Sequence, residues 1–486
     1  MYRTIAQLDA AIASLVEARP DLCTREALQN SVEGRPIHAL RLRAGGGENR
    51  RGILIVGGMH ARELMNPDAI IELAFDFVRA YTTETGLAYG GAEWSAFDVR
   101  IMMETLDIWM LPCANPDGRH HVMKPGGDWW WRKNRRDNPD TLCDGADPNR
   151  NCDFMWRVVG PNTSCDPCSA SFVGRLGFSE PESNNIHLLC DRHRIDVFVD
   201  VHSFSQFVLF PWGHAPTQTT QPLPNFTSLH TGICRPLEPP WHEEYMPPPD
   251  RLKYQTVATR VADAIRAVRG SNYTLKTIYQ VYNGTTTGTS TDYVYSRHIG
   301  NPTLRKTFAF AFETGPDTGN DRLSFQPEDP EPVKLDTKAG LVALIQQSVC
   351  AIEFIGETLQ AGTVQPIRDA RDELLLPTET GRGWIELVTS VQSELLGIVL
   401  SDEELTERAI SLLLRVQQLA AMREKATVSA RDVEDGIEFL ELLKLYATRP
   451  EALEAISIVN RQLQGVAGET VEAVLNKLAK SDSPKL

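Results

Sequence analysis

The chain has 486 residues, of which 42% are hydrophobic and 23% charged, which is the composition of an ordinary globular protein. This composition excludes a disordered or collagen-like chain. There are 49 Lys and Arg residues against 64 Asp and Glu residues, a formal net charge of -15. Such a charge repels a phosphate backbone, so we expect no nucleic-acid partner. Charges, Pro or Gly interrupt every hydrophobic run before the roughly 20 residues that a membrane span needs, so we also expect no membrane partner.

The first residues of the chain carry a helical pattern. Ile5, Leu8, Ile12 and Leu15 recur at helical spacing with polar residues between them. A secretory signal would instead have a continuous apolar core and a small-residue cleavage site. The sequence as written therefore shows no export signal, and its compartment stays open, because a trimmed mature form of a secreted protein would look the same.

Strand-like and helix-like segments alternate through residues 1–360. The strand-like segments are short and rich in β-branched or aromatic residues, and they cover 53–56, 107–111, 196–201, 207–210 and 307–312. Helical periodicity lies between them, for example at 67–81 and 251–269. Several strands are too hydrophobic for one face to meet water. The pattern predicts an α/β domain with a mixed, mostly parallel sheet covered by helices on both faces.

The composition changes in residues 361–486, where Gly, Pro and aromatic residues thin out and Leu, Ala, Glu and Arg dominate. This change predicts a separate all-α accessory domain. Hydroxyl-then-carboxylate spacing predicts helix starts at Ser401, with Glu404, and at Thr448, with Glu451 and Pro450. Two apolar stripes are predicted to form a bundle core: Leu412, Leu413, Val416 and Leu419, and Phe439, Leu442, Leu443 and Tyr446. The sequence leaves open whether this domain docks on the rest of the chain, self-associates or binds a protein partner.

Four of the nine cysteines, Cys143, Cys152, Cys165 and Cys168, crowd into one polar, loop-like region. They form either disulfides or a structural zinc site, and we favour disulfides because only Cys165 and Cys168 have the spacing of a zinc knuckle. The other five, Cys23, Cys113, Cys190, Cys234 and Cys350, sit singly. We expect those five to be buried and unpaired.

A candidate metal site begins with His60 and Glu63, which follow the strand at 53–56 and the Gly57-Gly58 turn. An imidazole and a carboxylate three residues apart can bind one zinc ion if the chain turns helically. The pair alone is weak evidence, because such spacing occurs by chance. His202 strengthens it, since this second histidine ends the strand at 196–201. Ligands in open α/β sheets collect at strand ends, so both histidines are expected to face one crevice.

Glu313 ends the apolar strand at 307–312. A carboxylate there is either a desolvated functional group or simply the first solvated residue beyond the sheet. Three protein ligands with one nearby free carboxylate are the composition of a hydrolytic zinc site. The four residues are therefore mutually consistent as a zinc centre.

Beyond these residues, the chain resembles the zinc metallocarboxypeptidases of the pancreatic carboxypeptidase A/B type. The matching segments come in the family's order: 33–37, 58–63, 115–118, 131–134, 147–151, 200–203 followed by Ser205 and Gln206, 278–280, and Phe312 with Glu313. The resemblance covers residues 2 to 355 or so and leaves the helical region unmatched. It implies that residues 1–360 form a zinc carboxypeptidase-like catalytic domain and that 361–486 form a helical accessory domain.

The resemblance also implies a role for each matching residue. It makes His60, Glu63 and His202 the ligands of one Zn²⁺ ion, Glu313 the general base that activates water, and Arg132 the group that polarises the scissile carbonyl. Asn149, Arg150 and Tyr279 match the group that holds the substrate's terminal carboxylate, for which the guanidinium fork of Arg150 is suited. Arg62 matches a secondary carboxylate-binding residue, and Asp147 the partner that orients a metal-bound histidine.

The implied substrate is the C-terminus of a peptide or protein, from which one residue is released. The family's side-chain pocket falls on Leu209, Gly213, Val281, Thr291 and Ala311, none of which is charged. A Lys or Arg side chain would have no partner there, so we expect release of uncharged, mainly apolar residues. The resemblance further implies a disulfide between Cys143 and Cys168, and with it an oxidising compartment.

Two other interpretations stay open. One is a zinc amidase acting on a non-protein, γ-glutamyl or cell-wall peptide amide, because the same zinc chemistry serves those substrates in a different pocket. The other is a non-catalytic peptide-binding module, which loss of a ligand, the base or the arginine would favour. All of those residues are present, and Asn149, Arg150 and Tyr279 favour a free α-carboxylate on the substrate.

Overall fold

The computed structural model describes residues 2–46, 50–219, 234–236, 243–349, 365–375, 377–400 and 402–480. These residues form two compact units, the first of which comprises Met1–Ala44, Arg51–Ser95 and Leu106–Ser348. The described strands are β1 Cys23–Ala27, β2 His38–Leu42, β3 Arg51–Gly57, β4 Leu87–Tyr89, β5 Ala92–Trp94, β6 Leu106–Leu111, β7 Val158–Val159, β8 Val197–His202, β9 Phe207–Phe210, β10 Thr217–Thr219, β11 Arg235–Pro236, β12 Glu243–Tyr245, β13 Thr274–Thr277 and β14 Phe308–Glu313.

Ten helices accompany these strands in the described residues up to 348. They are α1 Ile5–Ala18, α2 Met65–Thr82, α3 Ala96–Thr105, α4 Pro116–Met123, α5 Pro181–Arg192, α6 Pro248–Arg269, α7 Ile278–Tyr282, α8 Ser290–Gly300, α9 Asp321–Phe325 and α10 Glu331–Ser348. A single 3-10 turn spans Pro148–Arg150. Among the described residues, no helix combines the length and the apolar character needed to cross a membrane.

One eight-stranded sheet in the order β1-β2-β6-β3-β8-β14-β9-β13 forms the centre of the first unit. The pairs β6/β3, β3/β8, β8/β14 and β9/β13 are parallel, and the remaining three are antiparallel. Every residue of β3, β8 and β14 is buried. Because successive side chains point to opposite faces of a strand, full burial means that both faces are covered. The predicted α/β architecture is therefore confirmed.

The five predicted strands all appear as members of this sheet: β3, β6, β8, β9 and β14. The predicted helices appear as α2 and α6, each longer than expected by a few residues. The first residues form α1, which a capping box of Thr4 and Gln7 begins and which buries Leu8, Ile12 and Leu15. Strand ends and apolar periodicity were thus sufficient to find the elements that carry the centre of the sheet.

The second unit comprises Gly45–Arg50, Ala96–Thr105 and Val349–Leu486. Its helices beyond residue 364 are Gln365–Ala370, Glu379–Leu400, Glu403–Ala421, Ala430–Tyr446, Pro450–Leu463 and Val471–Leu478, with a π-helical turn at Arg371–Leu375. The predicted boundary between residues 360 and 361 lies outside the described residues. The division into 1–360 and 361–486 therefore stays a prediction, whereas the all-α character of the second unit is confirmed.

At both predicted helix starts in this unit, the capping group in the structure differs from the predicted one. The helix Glu403–Ala421 is capped by Asp402, whose side chain accepts from the backbone of Leu405, and Ser401 lies outside the described residues. The helix Pro450–Leu463 begins at the predicted proline, but Thr448 is not its cap. The backbone and hydroxyl of Thr448 donate instead to Glu394. The buried carboxylate of Glu394, from another helix, therefore accepts the hydrogen bonds at this helix start, where the sequence predicted a local capping box.

The predicted core stripes are also only half right. The core of this unit is formed by Trp384, Leu387 and Val391 of one helix and Ala452, Ala455 and Ile458 of another. Of the predicted stripe residues, Leu419 and Leu443 are buried, but Val416 and Tyr446 are exposed. Helical spacing identified an apolar face, and it could not identify how much of that face another element covers.

The cysteine predictions need correction at three positions: Cys234 is paired, Cys152 is not in a disulfide, and Cys113 is free but only partly buried. Cys143 pairs with Cys168, as the resemblance implied. Cys165 pairs with Cys234, 69 residues along the chain, although Cys234 was expected to be unpaired. Cys152 is buried and free, as are Cys23 and Cys190. The prediction considered only cysteines close together in the sequence, whereas the fold brings the distant Cys234 beside Cys165. Cys350 lies outside the described residues.

Candidate active site

His60, Glu63 and His202 meet at the edge where β3 and β8 end. One ligand-type atom from each residue lies within 4.8 Å of the others. The distance is 2.7 Å from His60 Nδ1 to Glu63 Oε1 and 3.1 Å from His202 Nδ1 to Glu63 Oε2. All three side chains are buried, at 3%, 2% and 3% exposure. In the described part of the chain, no other group of three such residues converges in this way.

The turn after β3 brings His60 into place. Gly57 and Gly58 accept hydrogen bonds from the backbone of Ala114 and Asn115 at 2.9 and 3.0 Å. Gly58 has φ +64°, and a Cβ there would lie 3.2 Å from Cα of Cys113. A residue with a side chain would therefore be both strained and crowded at this turn. The close approach of two chain segments is what allows His60 to point into the site.

Asn115 ties two parts of the site together. It caps α4, with its side-chain oxygen accepting from the backbone of Gly118. Its amide nitrogen donates to the carbonyls of Met59 and Lys133, both at 3.1 Å. These carbonyls flank His60 and Arg132, so one buried side chain fixes the spacing between the metal-binding segment and the arginine. The sequence identified the motif around Asn115, but it did not predict these hydrogen bonds to Met59 and Lys133.

The outer ring atoms of the two histidines face carboxylates. His60 Nε2 lies 3.3 Å from Oδ1 of Asp147, and His202 Nε2 lies 3.0 Å from Oδ2 of Asp200. Such carboxylates fix the orientation of metal-binding imidazoles and make them better ligands. Asp147 thus lies where the resemblance placed it, and Asp200 adds a second partner that the sequence did not assign.

Arg132 is held by Asp147 as well. Its Nε and Nη2 both lie 2.9 Å from Oδ2 of that carboxylate. Burial alone would raise the pKa of Asp147, but Arg132, Arg150 and His60 outweigh it and hold this pKa well below its usual range. Asp147 is therefore ionised, and it positions a cation and a histidine with the two oxygens of one side chain.

Glu313 ends β14 directly beside His202 in the parallel ladder. Burial is the main cause that raises its pKa, to about 7; the charge of His202 opposes this shift and that of Glu63 adds to it. A carboxylate with a pKa near neutrality can both take and return a proton at working pH. The burial and the neighbouring charges of Glu313 therefore give it a pKa that suits proton transfer.

The hydroxyl of Tyr282 donates a hydrogen bond of 2.5 Å to Oε1 of Glu313. Burial and the Glu313 carboxylate raise the pKa of Tyr282 well above its usual value, so the hydroxyl keeps its proton and is the donor. No role was predicted for Tyr282. The available signal was its position three residues after Tyr279, because residues at that spacing share one face of a helix.

Of the residues expected to hold a substrate carboxylate, Asn149 and Arg150 lie in the 3-10 turn and Tyr279 lies in α7. Arg150 is buried, and its guanidinium donates to the carbonyls of Asn162 and Asn149 at 2.7 and 2.6 Å. The amide nitrogen of Asn149 lies 2.9 Å from Nε2 of His202, and its oxygen accepts from the backbone of Ser290. Asn149 thus contacts a metal-binding histidine directly, a contact that the sequence did not predict.

Arg62 is clamped between two aromatic rings. Its guanidinium carbon lies 4.2 Å from the ring centres of both Trp130 and Phe325. Burial is the main cause that lowers the pKa of Arg62, to about 10, and the neighbouring Arg132 adds to the shift. The group stays cationic at neutral pH, and its stacked position leaves it suited to a second contact with an anionic substrate.

Three of the five predicted pocket residues pack into one apolar cluster. Leu209 and Ala311 lie on the adjacent strands β9 and β14 and contact Ile278, with Phe207 and Val281 packed against them. Thr291 is buried in α8. Gly213 is close to Asp292, whose carboxylate accepts from its backbone at 2.9 and 3.1 Å. Tyr279 is half-buried, and among the described residues no hydrogen-bond partner reaches its hydroxyl.

Two imidazoles and a carboxylate fit zinc, because borderline-soft Zn²⁺ prefers this donor set. The geometry supports this fit, since Nδ1 of His60 and Nδ1 of His202 point at each other over 3.1 Å. Three protein ligands with a free carboxylate alongside define the class: a mononuclear zinc site of the hydrolytic type.

Comparison with known proteins leads to the same class. The family model described as zinc carboxypeptidase matches residues 8–338. Mouse carboxypeptidase A4 is 27% identical over 350 residues, which cover 71% of this chain and 70% of the relative. Carboxypeptidase B of the crayfish Astacus astacus is 29% identical over 327 residues, or 66% of this chain and 88% of that protein.

Solved structures agree on the fold. A crystal structure of thrombin-activatable fibrinolysis inhibitor aligns with TM-score 0.57 at 21% identity, covering 72% of this chain and 74% of the other. Carboxypeptidase A from Helicoverpa armigera aligns with TM-score 0.51 at 24% identity, covering 71% of this chain and 74% of the other. The chain belongs to the zinc carboxypeptidase family. It is a metallocarboxypeptidase with one zinc site, which hydrolyses C-terminal peptide bonds.

Proposed function

We propose that this protein releases single uncharged, mainly apolar residues from the C-termini of peptides or proteins. The observation that carries the proposal is the apolar cluster of Leu209, Ile278 and Ala311 at the predicted pocket. Burial of an apolar side chain against such a surface is favourable by roughly 25 cal/mol per Å². A charged side chain would be desolvated there without a partner.

Asp292 is an acidic side chain beside Gly213 of this predicted pocket, and it does not make the pocket suitable for Lys or Arg. Its carboxylate accepts from the backbone of Gly213 and lies 3.5 Å from Nδ1 of His214. His214 in turn lies 2.9 Å from Glu244, and burial, which alone would lower its pKa, is outweighed by Asp292 and Glu244, which raise that pKa to about 9. The negative charge of Asp292 is therefore engaged by a buried cation.

The residues of the site are proposed to divide the reaction as follows. His60, Glu63 and His202 would hold the zinc ion, which would supply a Lewis acid and lower the pKa of water near it. Glu313 takes the proton of the attacking water and passes it to the leaving amine. Arg132, fixed by Asp147, stabilises the negative charge that develops on the carbonyl oxygen.

Substrate positioning is proposed to come from a second group of side chains. Arg150 binds the terminal carboxylate, with Tyr279 and the side-chain amide of Asn149 as further donors. Arg62 contacts the substrate further from its end, and Thr291 lines the pocket. Capture of a free carboxylate at a fixed distance from the reacting carbonyl restricts cleavage to the last peptide bond.

Residues 1–360 are proposed to form the catalytic domain and residues 361–486 the accessory domain. The exposed apolar side chains of the second unit, Leu414, Val416, Met422, Leu445 and Tyr446 among them, support a role in self-association or in binding a protein partner.

The test uses N-acyl dipeptides that share one acyl group and differ in the last residue: Leu, Phe, Ser, Glu or Lys. We expect release of Leu and Phe to be fastest, with loss of activity on chelation and recovery on adding zinc. The matched control is the C-terminally amidated Leu substrate, which Arg150 cannot bind and which should not be cleaved. Preference for Lys would contradict the proposed pocket. Cleavage of the amide or of a γ-glutamyl substrate at equal rate would contradict the proposed exopeptidase action.

A further inference from the structure

Tyr282 joins the protein surface to the buried base. It is the last residue of α7, after which Asn283 turns the chain at φ +46°. The tyrosine is 38% exposed overall, yet its hydroxyl contacts the carboxylate of Glu313, which is only 6% exposed. The ring therefore spans from solvent to the reaction centre.

The short helix α7 holds this tyrosine in place. Thr277 and Gln280 form a capping box at its start, with hydrogen bonds of 3.3 and 2.9 Å between side chain and backbone. The backbone of Tyr279 also donates to the carbonyl of Trp212 at 3.2 Å. A helix fixed at its first turn presents Tyr279 and Tyr282 on one face, one turn apart.

These two tyrosines have different contacts. The hydroxyl of Tyr282 is engaged by Oε1 of Glu313 at 2.5 Å. The hydroxyl of Tyr279 has no hydrogen-bond partner among the described residues and is available to a ligand. The position that resembles the family's tyrosine is therefore not the one that touches the base.

A general base must offer one oxygen to the proton it removes, in a fixed orientation. A carboxylate on a flexible Glu side chain rotates unless its other oxygen is held. The hydroxyl of Tyr282 binds Oε1, and within the described ranges no hydrogen bond engages Oε2. A hydrogen bond from a neutral hydroxyl to a carboxylate is short and strong, so it restricts this rotation effectively.

We propose that Tyr282 is a positioning residue for Glu313: its hydroxyl fixes one carboxylate oxygen so that the other faces the attacking water, while Tyr279 remains available to the substrate. The inference rests on the proposed function of Glu313 as the base. The Tyr282 proton stays on its oxygen throughout, so no additional group is consumed.

Kinetics separate the two tyrosines. Tyr282→Phe removes only the hydroxyl and should lower kcat about tenfold or more, as loss of an orienting contact does, with KM changed less than about twofold. Tyr279→Phe should instead raise KM, because it removes a contact to the bound substrate. Tyr89→Phe is the matched control, since Tyr89 donates to the carboxylate of Asp76 at 2.8 Å away from the zinc-binding residues. It should leave both constants unchanged.

A second measurement does not depend on activity. Thermal unfolding of Tyr282→Phe, Glu313→Ala and the double variant should give shifts in Tm that do not add, because both changes break the same hydrogen bond. Additive shifts would overturn the inference, as would a Tyr282→Phe enzyme with unchanged kcat or with a defect in KM alone. If the shifts do not add and wild-type protein has no chelator-sensitive exopeptidase activity, the proposed function fails and the hydrogen bond stands.

Discussion

Glu313 and Glu394 are two glutamates with equal burial and different surroundings. Each is 6% exposed. Glu313 ends a strand of the sheet, beside His202, and receives a hydroxyl proton. Glu394 lies in the helix Glu379–Leu400 and accepts from the backbone of Thr448 and Arg449, which connects two helices of the second unit. Burial is thus the same, while one carboxylate faces a metal-binding group and the other satisfies backbone donors.

This comparison shows why strand ends make better catalytic scaffolds than helix faces. The position of Glu313 is fixed by ladders on both sides, with β8 in parallel and β9 in antiparallel pairing. Helices of the second unit are held through their side chains, by packing and by hydrogen bonds such as those to Glu394, and part of their apolar surface remains exposed, with Leu445 at 77%. Hydrogen-bonded ladders fix the spacing of functional groups more tightly than side-chain packing does.

The largest expected effect on activity comes from replacing Glu313 with Gln. The same replacement at Glu394 is its control. Glu313→Gln should lower kcat by about 100-fold to 10,000-fold, the usual contribution of a general base. Zinc content should stay at one ion per chain, because Glu313 is not a ligand. Glu394→Gln is the matched control at equal burial, and its kcat should be unchanged. Steady-state kinetics and metal analysis check both variants, and a Glu313→Gln enzyme with wild-type turnover would refute the assignment of the base.

An intermediate effect is expected from pH. Burial raises the pKa of Glu313 to about 7, and the proposed role as general base needs the ionised carboxylate. The value of kcat/KM should therefore fall about tenfold per unit as pH decreases below this pKa. The positive charge of a bound zinc ion favours the ionised form, so the midpoint should lie at or below about 7.

The measurement is kcat/KM between about pH 5 and pH 8 under conditions where the far-ultraviolet circular dichroism stays constant. Constant dichroism excludes unfolding of either unit as the cause of the fall. A flat profile across this range would show that no group with the pKa of Glu313 controls the reaction.

The smallest expected effect concerns stability and compares a buried with an exposed leucine of one helix. Leu443 is 3% exposed and Leu445 is 77% exposed, although both belong to Ala430–Tyr446. Leu443→Ala should lower the free energy of unfolding of the helical unit by about 2–4 kcal/mol, whereas Leu445→Ala should change it by less than about 0.5 kcal/mol. Urea unfolding followed by helical dichroism measures both. Equal losses would mean that Leu445 is covered in solution, as self-association would require.

Local pattern predicted most of the catalytic unit. Apolar strands that end in His202 and Glu313, and a third that is followed after a short turn by His60, indicated where a site would assemble, because parallel strands bring such ends to one edge of a sheet. The same reasoning failed for Thr448 and for Cys234, whose partners are Glu394 and Cys165. Each failure involves a partner more than 50 residues away, which local spacing does not identify.

The sequence by itself determined the strands, the donor set for zinc and the membership of the chain in a hydrolytic class, since these depend on residue type and short-range periodicity. Only the tertiary structure decided that Tyr282 contacts Glu313, that Asn149 contacts His202 and that Asp147 contacts both Arg132 and His60. These contacts join segments whose approach is set by sheet pairing and buried hydrogen bonds, and distances of that kind are not encoded in the spacing of residues along the chain.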